Sequence, residues 1–235
     1  MSVKVQKITE PVVLGEGPHW DEKQQALYFV SISDRTIHKY VPATGTHTKT
    51  KLGTMGHEDA QGNVIRKQGN LFRLDGAKVT KVADHIDISN GLAWDLRQKA
   101  MYYTDSLEKN IRRYDYDVET GEISNLKYIF DFEKNMIDGV PDGTTIDTDG
   151  NLWVAVFEGS CVLKIDPRRG ELLQKIPIPA SQVTSATFGG PNYDVLFVTT
   201  ASVNLGRGLQ EPPCGATFMV TGLGVKGNPN NNFKF

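Results

Sequence analysis

Glu16, Asn90 and Asp142 occupy the same slot in three passages of this 235-residue chain. Each precedes a glycine, in "GEGP", "SNGL" and "PDGT". Carboxylate and carboxamide oxygens suit hard divalent ions such as Ca2+, Mg2+ or Mn2+, and two acids held close together repel unless a cation lies between them. Taken singly, Asx or Glu before Gly is an ordinary turn residue. Three of them recurring in one repeat slot favour a metal site. In a fourth passage, "VTSA", the slot falls on Thr184 or Ser185. The following glycine is expected to let the backbone turn tightly and to leave the site open.

The elements that carry the slot repeat with it. "GEGPHWDEKQQALYFVS" at 15–31 and "SNGLAWDLRQKAMYYTDS" at 89–106 share an apolar pair ending in Trp, an acid, a polar turn and an apolar run. Further copies run from 141 to 167 and from 184 to 202. The runs "ALYFV", "AMYYT", "LWVAV" and "VLFVT" read as second strands, and "TIHKYVP", "NIRRYDYD" and "CVLKIDP" as third strands. "SNLKYIFDF" and "ELLQKIPI" read as weaker fourth strands. No window sustains a 3.6-residue apolar period long enough for a helix.

Four-stranded antiparallel units at this spacing predict an all-β chain folded as a β-propeller, with a β-sandwich as the alternative on pattern alone. The loops entering the inner strands would bring the slots to one end of a central channel. The opening "VKVQKIT" stands before the first copy and is predicted to supply the outer strand of the last blade, beside "ATFMVTG".

Together, "GEGPHW", "SNGLAW", "YYTDS", "PDGTTIDTDGNLWVA", "FGGPN" and "VTGLGVKG" resemble the SMP-30, gluconolactonase and luciferin-regenerating-enzyme family over nearly the whole chain. The resemblance is greatest to its animal regucalcin and insect luciferin-regenerating-enzyme members. It implies a six-bladed propeller with one divalent ion in the channel and hydrolysis of sugar lactones or related esters and nitriles. It also implies Glu16, Asn90 and Asp142 as metal ligands, with Asp142 doubling as the base or the group that positions water. Ca2+ is the first expectation for the ion, with Zn2+, Mn2+ or Mg2+ as alternatives. The small-molecule substrate would be a lactone or ester. The absence of a G-x-S-x-G sequence agrees with chemistry that needs no covalent nucleophile.

The chain departs from the family between the first two slots. Glu16 and Asn90 are 74 residues apart, under two repeats at about 45 residues per blade, where the family places three. The family's Arg-x-Asn-Asp-Gly-type substrate-holding stretch has no counterpart here, so no substrate-binding residue is assigned. The text jumps at Gly53 to Met55, leaving about one and a half blades missing. The expectation is a single domain over 1–235 with a seam near 53–55, forming a shortened or irregular ring of about five units, hybrid or gapped. A calcium-binding protein without turnover, or an inactive shortened isoform, is the alternative to an enzyme.

Composition narrows the partners. The net charge of -2, with 26 basic and 28 acidic residues spread along the chain, gives no field for nucleic acid or anionic lipid. No signal-peptide core and no run of 18 apolar residues occurs, so a soluble, cytoplasmic monomer is expected. Cys161 and Cys214 are too few for a disulfide framework or a zinc cluster and read as small buried hydrophobes. "GLGVKG" at 222–227 matches G-x-G-x-x-G without a βαβ unit, so no dinucleotide site is assigned, and "GHEDAQ" lacks the second His of a zinc-protease helix. Trp20, Trp94 and Trp153 are expected in the inter-blade core, with His19 packed beside Trp20. Asp147 and Asp149 read as a polar turn. Thr54 and Met55 would face the channel in the family but sit at the seam.

Overall fold

The computed structural model describes residues 2–51, 66–75, 78–204 and 210–230. Apart from one 3-10 turn at Ser106–Glu108, the regular elements among them are strands. A first unit runs β2 (Gly15–Asp21), β3 (Ala26–Ser31), β4 (Thr36–Val41) and β5 (Thr46–Lys51). A hairpin follows, β6 (Gly69–Asp75) and β7 (Lys78–Ile86). The second unit comprises β8 (Ser89–Asp95), β9 (Ala100–Asp105), β10 (Asn110–Tyr116) and β11 (Ile123–Asp131). The third comprises β12 (Val140–Ile146), β13 (Leu152–Phe157), β14 (Cys161–Asp166) and β15 (Glu171–Pro177). The fourth takes β16 (Gln182–Gly189), β17 (Val195–Ala201) and β18 (Phe218–Thr221), and is completed by β1 (Lys4–Lys7) from the start of the chain.

That last pairing is antiparallel, Lys4 opposite Thr221 through Lys7 opposite Phe218, so the strand-like opening does join the end of the chain. The connection onward is tied down too, with Ile8 N–H donating to Thr217 O at 2.9 Å and Val12 N–H to Gly215 O at 2.8 Å. The third and fourth units touch edge to edge at a single pairing, Phe157 with Gln182.

The turn chemistry of the repeat explains why each unit folds locally. Asp21, Asp95 and Asp147 each close the inner strand's turn by accepting backbone N–H groups. Asp21 takes Gln24 at 3.1 Å, Asp95 takes Arg97 at 3.0 Å and Gln98 at 3.1 Å, and Asp147 takes Asp149 at 3.0 Å and Asn151 at 2.8 Å. Gln25, Lys99 and Gly150 then adopt positive φ and start the return strand.

Apolar seams lie between consecutive units. Trp20, Leu27 and Phe29 meet Tyr193 and Phe197 between the first and fourth. Trp153 and Val162 meet Phe188, Leu196 and Phe218 between the third and fourth. Tyr102, Ile111 and Phe132 meet Leu152, Val154 and Leu163 between the second and third. Leu71 and Ala83 of the hairpin pack on Met101, Tyr103 and Tyr114 of the second unit. On the same hairpin, Phe72, Leu74 and Val79 are exposed, at 57%, 55% and 64%. Among the described residues this unit has two strands, against four in each of the others. The expected seam at 53–55, with Thr54, Met55 and "GHEDAQ", lies outside the described residues.

Trp94 corrects the expectation of three core tryptophans. Trp20 and Trp153 are buried, at 2% and 0% exposure, whereas Trp94 is 39% exposed and meets Tyr116 edge-on at 6.5 Å. The strand alternation turns Ala93 and Asp95 inward and leaves Trp94 on the outer face. Cys161 is buried and its thiol is pushed up to about 11 by burial, while Cys214 is half-buried; both are free. "GLGVKG" follows β18, and its Gly227 bridges Asp147.

Candidate metal centre

Every inner strand breaks register at the slot. The pairing of β2 with β3 shifts between Glu16 and His19, that of β8 with β9 between Ser89 and Leu92, and that of β12 with β13 between Pro141 and Thr144. The fourth shift, between Val183 and Ser185, isolates Thr184. A bulge frees a residue from the ladder and re-aims its side chain. The repeat slot in the sequence is therefore a repeated β-bulge in the fold.

The bulges bring Glu16 and Asp142 together from positions far apart in the chain. Burial pushes the Asp142 carboxyl up to about 8, and the neighbouring Glu16 charge adds to the rise. The Asn90 side chain and the Gly143 backbone N–H act in the opposite direction, which places Asn90 beside the same carboxylate. Burial likewise pushes Glu16 up to about 7, although its Oε2 accepts the Gly17 N–H at 3.2 Å. Among the described residues no Lys or Arg forms an ion pair with either acid. Asp142 Oδ1 is buried and has no hydrogen-bond partner.

An orphaned buried carboxylate oxygen beside a second acid is the arrangement a cation would relieve. The donor set fits a hard divalent ion: two carboxylates, and the Asn90 carboxamide oxygen, whose own nitrogen donates to Ser106 Oγ at 3.1 Å. No three His, Cys, Asp or Glu side chains converge among the described residues. The third oxygen of the slot set is that of the Asn90 amide.

At the fourth slot Thr184 is engaged elsewhere. Thr184 is buried and its hydroxyl donates to Gly15 O and contacts Thr199 Oγ1 at 2.9 Å, fastening the fourth unit to the first. The slot glycines also act differently from the expectation of a common tight turn. Gly17 has φ +56, but Gly91 and Gly143 are there for close approach. A Cβ on Gly91 would lie 2.2 Å from Thr144 Oγ1, and one on Gly143 2.1 Å from Ser185 Oγ. His19 is half-buried on β2, next to the buried Trp20.

Two features escaped the sequence reading. Asp147 is more than a turn residue. It is 1% exposed and takes Trp153 Nε1 at 3.0 Å and Lys164 Nζ at 3.4 Å, besides Asn151; Asp149 is exposed. The pair Asp105 and Ser106 closes over the entry to β8. Its only signal in the sequence is a polar dipeptide ending an apolar strand, "AMYYTDS".

The family described as "SMP-30/Gluconolactonase/LRE-like region" matches residues 14–54 and 49–202. Regucalcin of Sus scrofa is 45% identical over 180 residues, covering 75% of this chain and 60% of that protein. The chain thus spans about three-fifths of the length of that curated relative. Regucalcin of Danio rerio is 32% identical over 289 aligned positions, 97% of each chain. Among solved structures, a luciferin-regenerating enzyme superposes with a TM-score of 0.86 at 33% identity, covering both chains fully. A calcium-binding protein, regucalcin, from Agrobacterium tumefaciens superposes at 0.85 over 97% of each chain, at 22% identity, a likeness of fold alone.

Proposed function

This chain belongs to the SMP-30/gluconolactonase/LRE-like family, and from that premise we propose that it is a divalent-metal-dependent hydrolase of lactones or related esters and nitriles. The observation that carries the reading is the buried Asp142, its Oδ1 unpartnered, beside the half-buried Glu16. Glu16, Asn90 and Asp142 would hold one cation, Ca2+ first, with Zn2+, Mn2+ or Mg2+ as alternatives. When bound, such an ion polarises a carbonyl and lowers the pKa of water. Asp142, raised by burial and by Glu16, orients the attacking water and accepts its proton. The seams of buried Trp, Phe and Leu between units keep the inner strands rigid enough to hold that geometry.

The reading takes residues 1–235 as one domain with its seam near 53–55. The β1–β18 pairing and the two matched segments that meet at 49–54 support this. It takes the protein as a cytoplasmic monomer with a small-molecule substrate and no nucleic-acid or membrane partner. Two free cysteines support a reducing compartment, and no helix among the described residues is long and apolar enough to cross a membrane.

A second reading, calcium binding without turnover, is favoured by the hairpin β6–β7, which among the described residues has two strands against the four of each other unit. Lactone hydrolysis measured with added Ca2+, Mn2+, Mg2+ and Zn2+, against Asp142→Ala, separates the two. Metal-dependent turnover abolished by the substitution supports the enzyme. Binding heat lost in Glu16→Ala without turnover in the parent supports the calcium binder.

A further inference from the structure

The bulge that re-aims Asn90 also removes it from the β8–β9 ladder, so its side chain needs another hold. The end of β9 supplies one to each residue leading to it. Asp105 is fully buried, with its Oδ2 accepting the Asp87 N–H at 3.0 Å and its Oδ1 the Ile88 N–H at 3.1 Å. Arg112 Nη2 donates to Asp105 Oδ2 at 3.2 Å and holds that carboxylate in place. Ser106 N–H donates to Ile88 O at 3.1 Å, and Tyr103 OH to Ser89 Oγ at 2.7 Å. The last hold is on the slot residue itself, Asn90 Nδ2 donating to Ser106 Oγ at 3.1 Å.

We propose that Ser106 is a positioning residue. It anchors the Asn90 carboxamide through its nitrogen, so that Oδ1 is left for the cation, while Asp105 anchors the backbone that carries it. The carboxamide is planar, with oxygen and nitrogen on opposite sides of Cγ, so fixing Nδ2 fixes where Oδ1 points. Ser106 is 3% exposed, so water does not compete for its hydroxyl. Glu16 Oε2 instead accepts the N–H of the next residue, Gly17, at 3.2 Å. A long, flexible acid reaches the centre unaided, whereas a short amide on a bulge must be aimed.

The inference rests on the metal reading, and its test separates the two. Titration of the full chain with Mn2+ or Ca2+ by calorimetry should show affinity falling about tenfold in Ser106→Ala, the low end of effects at residues that orient ligands. Ser106→Thr, which keeps the hydroxyl, should bind more tightly than Ser106→Ala. Ser106→Ala combined with Asn90→Ala should bind no worse than Asn90→Ala alone. Equal affinity of Ser106→Ala and the parent, or additive losses in the double variant, would overturn the role while leaving the metal centre standing. In the metal-free protein, the Asn90 side-chain amide resonance, assigned by its loss in Asn90→Ala, should move in Ser106→Ala. A stationary resonance rejects the contact whatever the metal does. A parent that binds no metal removes both the centre and the role.

Discussion

Gly143 and Ser185 lie so close that a Cβ on the glycine would stand 2.1 Å from the serine hydroxyl and 2.8 Å from its Cα. The slot glycine of β12 is the place where β16 passes, just as Gly91 of β8 is the place where β12 passes. A hydroxyl can rotate away, but a backbone Cα cannot. Gly143→Ala is therefore expected to cost about 2 kcal/mol or more, as overpacking does, and to displace Asp142 with it. At about 2–4 °C per kcal/mol for a chain of this size, thermal melts should resolve the loss. Gly17→Ala is the control: φ is +56 but nothing lies within 4 Å, so only the backbone cost of about 1–2 kcal/mol applies. Equal melting of metal-free Gly143→Ala and the parent would reject close packing of the inner strands.

The sequence made the repeat legible because the slot and its turn are local chemistry: a polar residue, a glycine and, beyond the strand, an acid that folds back on backbone N–H groups. What it hid was the reason for the slot. A bulge leaves no compositional mark beyond the glycine, so Gly91 and Gly143 read as turn residues until the neighbouring strand is seen. Trp94 misled for a related cause, since one residue of phase decides which face of β8 it joins. Asp147 and the Asp105–Ser106 pair gather partners from distant strands, which adjacency in the text does not report. The raised pKa values of Glu16 and Asp142 follow from burial, a property of the assembled units.

Without metal, that pair makes stability depend on pH in a definite direction. The folded values of about 7 for Glu16 and about 8 for Asp142 lie above those of the unfolded chain. Below the ordinary carboxylate range the contribution is fully present, and it is lost as pH rises through the folded values. The metal-free protein should therefore gain melting temperature from this pair between pH 9 and about pH 5. Comparison with Asp142→Asn isolates the effect. The substitution should raise the melting temperature of the metal-free protein at pH 8.5, raise it less at pH 5, and lower turnover at least about a hundredfold. A substitution that destabilises equally at both pH values would show that the two acids do not repel.

Asp147 is expected to matter for stability alone. It is buried and joins the Trp153 indole, the Asn151 amide and the Lys164 ammonium, which also lies 5.3 Å from the Trp153 ring centre. Asp147→Ala leaves a cation and several donors without their acceptor, a loss of about 3–5 kcal/mol for a broken buried pair. Asp149→Ala, two residues away and exposed, should stay within about 0.5 kcal/mol of the parent. Urea unfolding of the two variants measures the contrast, and similar midpoints would reduce Asp147 to an ordinary turn residue.

Closure of the chain on itself supplies a further test. Val5 on β1 faces Val220 in the ladder and packs against the apolar cluster between the third and fourth units, whereas its neighbour Lys4 is exposed. Val5→Asp sets a charge against that cluster and should cost about 2 kcal/mol, the worth of burying a valine side chain. Lys4→Asp changes the same strand by a larger charge step but on its solvent face, and should cost little. If β1 caps β18, Val5→Asp should also speed hydrogen exchange at Met219 and Val220, because the ladder from Lys4 to Lys7 covers that edge. It should promote self-association as well, since an uncovered strand edge is a template for pairing. Unchanged exchange at β18 in a destabilised Val5→Asp protein would mean that β1 contributes packing without closing the fourth unit.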